Sequence, residues 1–171
     1  MDQKPEKQVS RMATGGAGMN PRFQAFIEQL EPKFQRLVSM HPVKATSLPS
    51  QMPNAGVYVF YEERKPLYVG RTNRIRQRIK EHSQEGRNDA PFALRLGREV
   101  TGYTEATYQK RGSRKDLLSK LDFREAFSEA KTRIREMDIR YVEETDQVKQ
   151  ALLEIYVTVA LDTPYNDFKT H

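Results

Sequence analysis

Cysteine is absent from the 171 residues, which excludes disulfide scaffolds, thiolate zinc sites and cysteine nucleophiles. Histidine is scarce, and His41, His82 and His171 are too few for a histidine-rich metal site. Long apolar runs are missing too. No segment reaches the length that a bilayer demands, and the first residues lack the apolar stretch of a signal peptide. Only 37% of the residues are apolar, enough for a core of modest size and one ordinary domain with decorated ends. The expectation is a soluble, cytoplasmic protein with no membrane partner.

What the chain does have is charge, unevenly placed. Basic residues outnumber acidic ones 29 to 23, a net +6. Residues 71–98 hold eight basic against three acidic side chains and 110–135 hold nine against four, whereas 136–171 hold three against eight. Two basic blocks in mid-chain suit a phosphate backbone, because neutralising phosphates releases condensed counterions. Arginines and lysines that merely solvate helix faces would produce the same count.

Residues 1–19 are polar, contain glycine and show no periodicity, so they read as a disordered leader. Asn20-Pro21 is a good cap and first-turn pair for a helix. Phe23, Phe26, Ile27, Leu30, Phe34, Leu37 and Val38 continue at helical spacing, with Pro32 expected to split the run in two. Residues 41–55 hold three prolines and read as an extended connector. A helical extension and linker thus occupy 20–46, and the main domain runs from 47 to 171. Gly56–Tyr61 and Leu67–Gly70 flank a charged turn and form an antiparallel hairpin, with Gly56 and Gly70 at its ends. A helix capped by Asn73 should run to about Gln84. Short helical signals follow near Pro91 and over 121–136, on either side of a basic loop at 101–114. Met137–Glu143 alternates as a third strand, and Thr145 or Asp146 opens a last helix that runs to about Leu161. The expected fold class is α+β: a small three-stranded antiparallel sheet flanked by helices.

A few polar residues stand where packing alone would not put them. On the helix after Asn73, Ile75 and Ile79 mark the core-facing stripe. His82 falls between them in angle, Arg78 borders them, and Arg74, Arg76, Lys80 and Glu81 point elsewhere. A buried histidine is often only a satisfied core residue; an arginine beside it adds the side chain best suited to planar recognition of phosphate. On the last helix Glu154 is the one charge between Ala151 and Leu161. Val148, Leu152, Ile155, Tyr156 and Val159 read as the core stripe, with Glu154 and Thr158 roughly opposite. Leu153, Val157 and Leu161 also lie off that stripe. Glu154 is then either part of a solvent-facing stripe or a covered carboxylate that needs a cation.

Gly56-Val57-Tyr58, Tyr68-Val69-Gly70, Arg78, His82, Glu154 and Asn166, in that order, closely resemble the GIY-YIG nuclease family. Arg78 follows Gly70 by eight residues, His82 follows Arg78 by four, and Asn166 follows Glu154 by twelve, in agreement with the family pattern. The departures are valine for the usual isoleucine in both tripeptides, and 72 positions between His82 and Glu154. That separation implies a largely helical insertion over about 87–135. The resemblance implies hydrolysis of phosphodiester bonds with one divalent metal, Mg2+ or Mn2+, held by Glu154. It makes Tyr58 the general base or the positioner of the attacking water, with the choice between Tyr58 and His82 left open. Tyr68 and His82 would hydrogen-bond water and phosphate, Arg78 would hold the scissile phosphate, and Asn166 would buttress the site. Arg71, Arg74, Arg76 and Lys80, with Arg111, Arg114 and Lys115 in the insertion, are candidates for flanking backbone contacts. The implied protein is a stand-alone DNA endonuclease of restriction or mobile-element type, a homodimer where both strands are cut. Without cysteine it carries no attached zinc or RING-type module. The alternative is a non-catalytic nucleic-acid-binding adaptor that keeps the fold.

Overall fold

A computed structural model of the protein describes residues 18–86, 90–103 and 112–166. Asn20 opens helix α1 (Pro21–Ile27). Its Oδ1 accepts the backbone N–H groups of Arg22 and Phe23 at 3.0 and 3.2 Å, and Pro21 sits in the first turn, where no donor is needed. Helix α2 (Leu30–Ser39) follows. The expected split is present but lies at Glu28–Gln29 and not at Pro32. Pro32 occupies the first turn of α2, where its missing N–H breaks no intrahelical bond.

The connector contributes a strand that the sequence reading missed. Val43–Lys44 (β1) pairs antiparallel with Ile139 and Asp138, so the sheet has four strands and not three. Two residues are too short a run to carry any period. The hairpin is β2 (Gly56–Glu62) and β3 (Lys65–Thr72), turned by Glu63 and Arg64, whose φ values of 48° and 69° match the twist of the flanking strands. With β4 (Asp138–Glu143) the order is β1-β4-β2-β3, antiparallel throughout, which makes β2 central and β3 an edge. An edge tolerates Pro66, and the register shifts beside it, between Phe60 and Tyr61.

Alternation along the central strand builds two cores. Val57, Val59 and Tyr61 of β2 and Val69 of β3 face α2 and α7 (Gln147–Leu161), where they meet Leu30, Leu37, Leu153 and Val157. Tyr58, Phe60 and Tyr68 face the other way, onto α3 (Ile75–Ser83), α4 (Pro91–Thr101) and α6 (Leu121–Arg135). Each fully buried aliphatic or aromatic side chain in these layers contributes about 1.5–3 kcal/mol. Between α3 and β4, α4 packs on α6, and Gly97 lies against the Phe123 ring. Short helix α5 (Arg114–Ser119) precedes α6, with Ser113 as its cap. The expected leader (residues 1–17 of it) and much of the expected basic loop (104–111), including Arg111, lie outside the described residues.

The last helix reverses the expected core stripe. Leu153, Val157, Gln150 and Thr158 are buried, while Val148, Ile155 and Val159 are exposed, the last at 73%. The helix is apolar nearly all round, so a 3.6-residue period cannot select its inner face. Contact with the sheet selects it, and turns Glu154 inward. No helix among the described residues is long and apolar enough to cross a membrane.

Candidate active site

The register of the hairpin sets the geometry. Tyr58 stands opposite Gly70, and its phenol lies across the position where residue 70 would carry a side chain. A Cβ at Gly70 would come within 2.4 Å of the Tyr58 oxygen, so glycine is needed here for space. Helix α3 follows β3 after a short turn. Its N-terminal residue Ile75 donates to the Asn54 carbonyl at 2.8 Å. Arg74 is the capping position and makes no side-chain cap. Asn73, the expected cap, instead accepts a 2.8 Å hydrogen bond from Gln150 of α7.

His82 is fully buried, and its Nε2 lies 2.8 Å from the Tyr58 hydroxyl. The rings of Tyr58, Phe60 and Tyr68 surround it at centroid distances of 5.2–5.7 Å. Burial first, then the positive charges of Arg78 and Lys131, push its pKa down to about 3, so the imidazole is neutral. Nδ1 has no hydrogen-bond partner among the described residues. A buried N–H without a partner costs more than a bare lone pair, so the geometry favours the tautomer in which Nε2–H donates to the Tyr58 oxygen. Burial also drives the Tyr58 pKa well above the usual phenol value; the neighbouring Tyr68 adds to this and Arg78 opposes it.

Arg78 reaches the same oxygen from α3. Burial works against its charge, but the Tyr58 and Glu81 oxygens outweigh that and hold it protonated more firmly than usual. Its Nη1 lies 3.4 Å from Glu81 Oε2, and Glu81 Oε1 accepts from Gln77 at 2.8 Å. On the helical wheel Glu81 points away from this face. In the fold it is buried, an i,i+3 partner of Arg78 that helical spacing could have suggested. Tyr68 stacks on Phe92 of α4 with centroids 4.8 Å apart. Its pKa is raised by burial, and Arg95 and Arg78 pull it back. Arg95, whose guanidinium donates to the Tyr165 carbonyl, therefore brings an insertion charge to the site that no motif signalled.

Glu154 reaches the group from the opposite face of the sheet. Its Oε2 accepts from Arg71 Nε at 2.9 Å, and both Tyr58 and Tyr68 feel its charge. Desolvation raises its pKa above the ordinary carboxylate value, and Arg71 offsets part of the rise. Among the described residues no three His, Cys, Asp or Glu side chains cluster as a metal cage. The donor set still fits the implied cation: one half-buried hard carboxylate, with the remaining positions left to water and phosphate oxygens, is a normal Mg2+ arrangement.

Asn166 stands at the open edge of β3. Its Oδ1 accepts from Val69 N at 2.7 Å and its Nδ2 donates to Val69 O at 2.8 Å, as a neighbouring strand would. Thr163 Oγ1 supports the amide at 3.0 Å, and Tyr165 N donates to Leu67 O at 3.1 Å.

The other basic residues separate. Arg74 and Lys80 are exposed near the site's helix. Together with Asn54, Gln77, Glu81 and Gln84 they line a concavity of about 550 Å3 that does not include Tyr58 or His82. Arg76 lines it too, and its guanidinium donates to the carbonyls of Pro49 and Ser50 and ties the connector to α3. Arg114 and Lys115 lie on α5, in a separate hollow with Leu118 and Ser119. Lys131 and Arg135 of α6 were not anticipated. They donate to the carbonyls of Gln84 and Ser83 at 2.7 and 3.1 Å and so close the C-terminal end of α3.

A family model described as GIY-YIG catalytic domain matches residues 54–166. Neither the curated proteins nor the solved structures compared with the chain gave a match.

Proposed function

The chain belongs to the GIY-YIG family, whose catalytic domain is a nuclease domain acting on nucleic-acid phosphodiesters, and on that premise we propose that it is a metal-dependent DNA endonuclease of restriction or mobile-element type. The observation that supports this reading is the Tyr58 hydroxyl lying over Gly70 and held by His82 and Arg78, with Tyr68 feeling the same charges and the charge of Glu154 reaching both tyrosines from the other face of the sheet.

Glu154, in this reading, holds a divalent cation, Mg2+ or Mn2+. Bound there, the ion supplies Lewis-acid polarisation of the phosphate and stabilises the departing 3′ oxygen. The chain's own groups do the rest. Arg78, fixed by Glu81, binds the scissile phosphate and offsets its growing charge. Tyr58 gives up its phenol proton to solvent as the site fills, and the phenolate then orients the attacking water and takes its proton. Burial keeps the phenol protonated at rest, and donation from Arg78 and from His82 Nε2 lowers the cost of the phenolate as the site fills. His82 is the poorer base of the two, because burial and nearby cations depress its proton affinity. The water oxygen bonds to phosphorus and the P–O3′ bond breaks. The 3′ oxygen then gains a proton from solvent water, leaving a 5′-phosphate and a 3′-hydroxyl. Asn166 keeps β3, and with it Tyr68 and Gly70, in place.

Arg74 and Lys80 flank this centre as phosphate contacts. One site cuts one strand, so double-strand cleavage calls for two copies. Cytoplasmic action is part of the proposal. Supercoiled plasmid incubated with Mg2+ tests it: nicking or linearisation by the wild type and loss of it in Glu154→Ala are the expected results. No cleavage of any DNA or RNA, together with a Glu154→Ala protein that binds identically, would leave the adaptor reading.

A further inference from the structure

Glu154 is not waiting bare for a cation. Arg71, the residue after Gly70, reaches across the edge of β3 and places Nε 2.9 Å from Glu154 Oε2. The two side chains are 44% and 22% exposed. A pair in such a setting is weak, because solvent already stabilises the separated guanidinium. It nevertheless meets the requirement set by the carboxylate, which sits half-buried on an apolar helix and needs a positive neighbour.

We propose that Arg71 is the resident counter-ion of Glu154 and yields the carboxylate when a divalent cation and a phosphodiester arrive together. The inference rests on the nuclease reading and deepens it. A guanidinium and a divalent cation repel each other at one carboxylate, so Arg71 lowers the affinity of the empty site for metal. A phosphate offers Arg71 a better partner, a planar anion matched to its donors. Phosphate binding therefore clears the carboxylate, and by thermodynamic reciprocity cation binding frees Arg71 for phosphate. The protein holds metal poorly by itself and well on its substrate.

Titration of Mn2+ into the full chain without nucleic acid, followed by calorimetry, reads this directly. Arg71→Gln and Arg71→Met should bind Mn2+ about tenfold more tightly than the wild type, the effect of removing one nearby unit charge in a partly screened site. Glu154→Gln should abolish the gain when combined with either. Lys80→Gln removes a unit charge from exposed α3, away from Glu154, and should change the affinity far less. The inference is overturned if the Arg71 variants bind no tighter than the wild type, if Lys80→Gln gains as much, or if the gain survives Glu154→Gln. Plasmid cleavage separates the two ideas. A wild type that cleaves, with no gain in the Arg71 variants, sinks only the counter-ion exchange. A wild type that never cleaves, with the gain present, sinks the nuclease reading and leaves the Arg71–Glu154 competition standing.

Discussion

Gly70 shows how much one residue can carry without chemistry of its own. The space it leaves is filled by the Tyr58 hydroxyl, so Gly70→Ala should force the phenol off His82. The expected cost is about 1–3 kcal/mol of stability from overpacking, with cleavage reduced at least a hundredfold. Urea unfolding and a plasmid assay would check both, and a variant as active as the wild type would refute the placement. His82 supports a prediction about pH. Its pKa is about 3 in the folded chain against 6.5 for the ordinary side chain, so between those values the unfolded chain binds a proton that the folded chain refuses. Its stability penalty is absent above about pH 6.5, grows as the pH falls, and levels off below 3. At pH 5 it amounts to about 2 kcal/mol. His82→Asn should therefore show a flatter change in urea midpoint between pH 7 and pH 5 than the wild type. Glu81 predicts the behaviour of Arg78. Glu81→Gln should lower kcat about tenfold or more while DNA binding holds or tightens, since a negative charge has been removed beside a phosphate site.

At the scale of elements, the edge strand β3 and helix α3 each depend on a distant piece of chain. Asn166 acts as a one-residue strand for β3, covering the N–H and C=O of Val69, which is itself fully buried. Asn166→Ala would leave both groups without their partner, at an expected cost of about 1–3 kcal/mol, and should speed amide hydrogen exchange at Val69 and Gly70. The match of Asn166 to the family pattern marked it as important; that its role is to complete a sheet edge comes from two distances. Helix α3 likewise ends on Lys131 and Arg135 of α6, so α6 is part of what holds His82. No spacing in the sequence linked 131 and 135 to 83 and 84, because nothing local encodes which helix another will end against. The last helix makes the same point more sharply. With apolar residues on nearly every side, its inner face is decided by the sheet: Val148, Ile155 and Val159 of the expected stripe are exposed, and Leu152 and Tyr156 are only partly buried.

At the scale of the whole molecule, the basic blocks resolve into surfaces with different tasks. Arg74 and Lys80 are exposed along a concavity of α3, whereas Arg76 spends its guanidinium on the carbonyls of Pro49 and Ser50. Arg74→Gln and Lys80→Gln should each reduce the salt slope of DNA binding by about 1, as loss of one phosphate contact does. Arg76→Gln should leave that slope unchanged and destabilise the fold by about 1 kcal/mol. Binding measured across a salt series distinguishes them, and equal slopes for all three would refute the division. Counting charge along the chain could not make it, because neighbours on a helix point in different directions.

Much was already settled by the sequence alone: an α+β chain without cysteine chemistry, a hairpin ended by two glycines, and six polar residues in the order of a nuclease family. Local rules suffice for these, since turn residues, strand alternation and motif spacing act over a few positions. The tertiary structure decided the rest. It chose the inward face of α7 and so turned Glu154 toward the site, paired Arg71 with it, buried Glu81 against Arg78, and spent Arg76 on the connector. Each of those outcomes depends on which surfaces meet across the sheet, and that is fixed by packing between segments far apart in the chain.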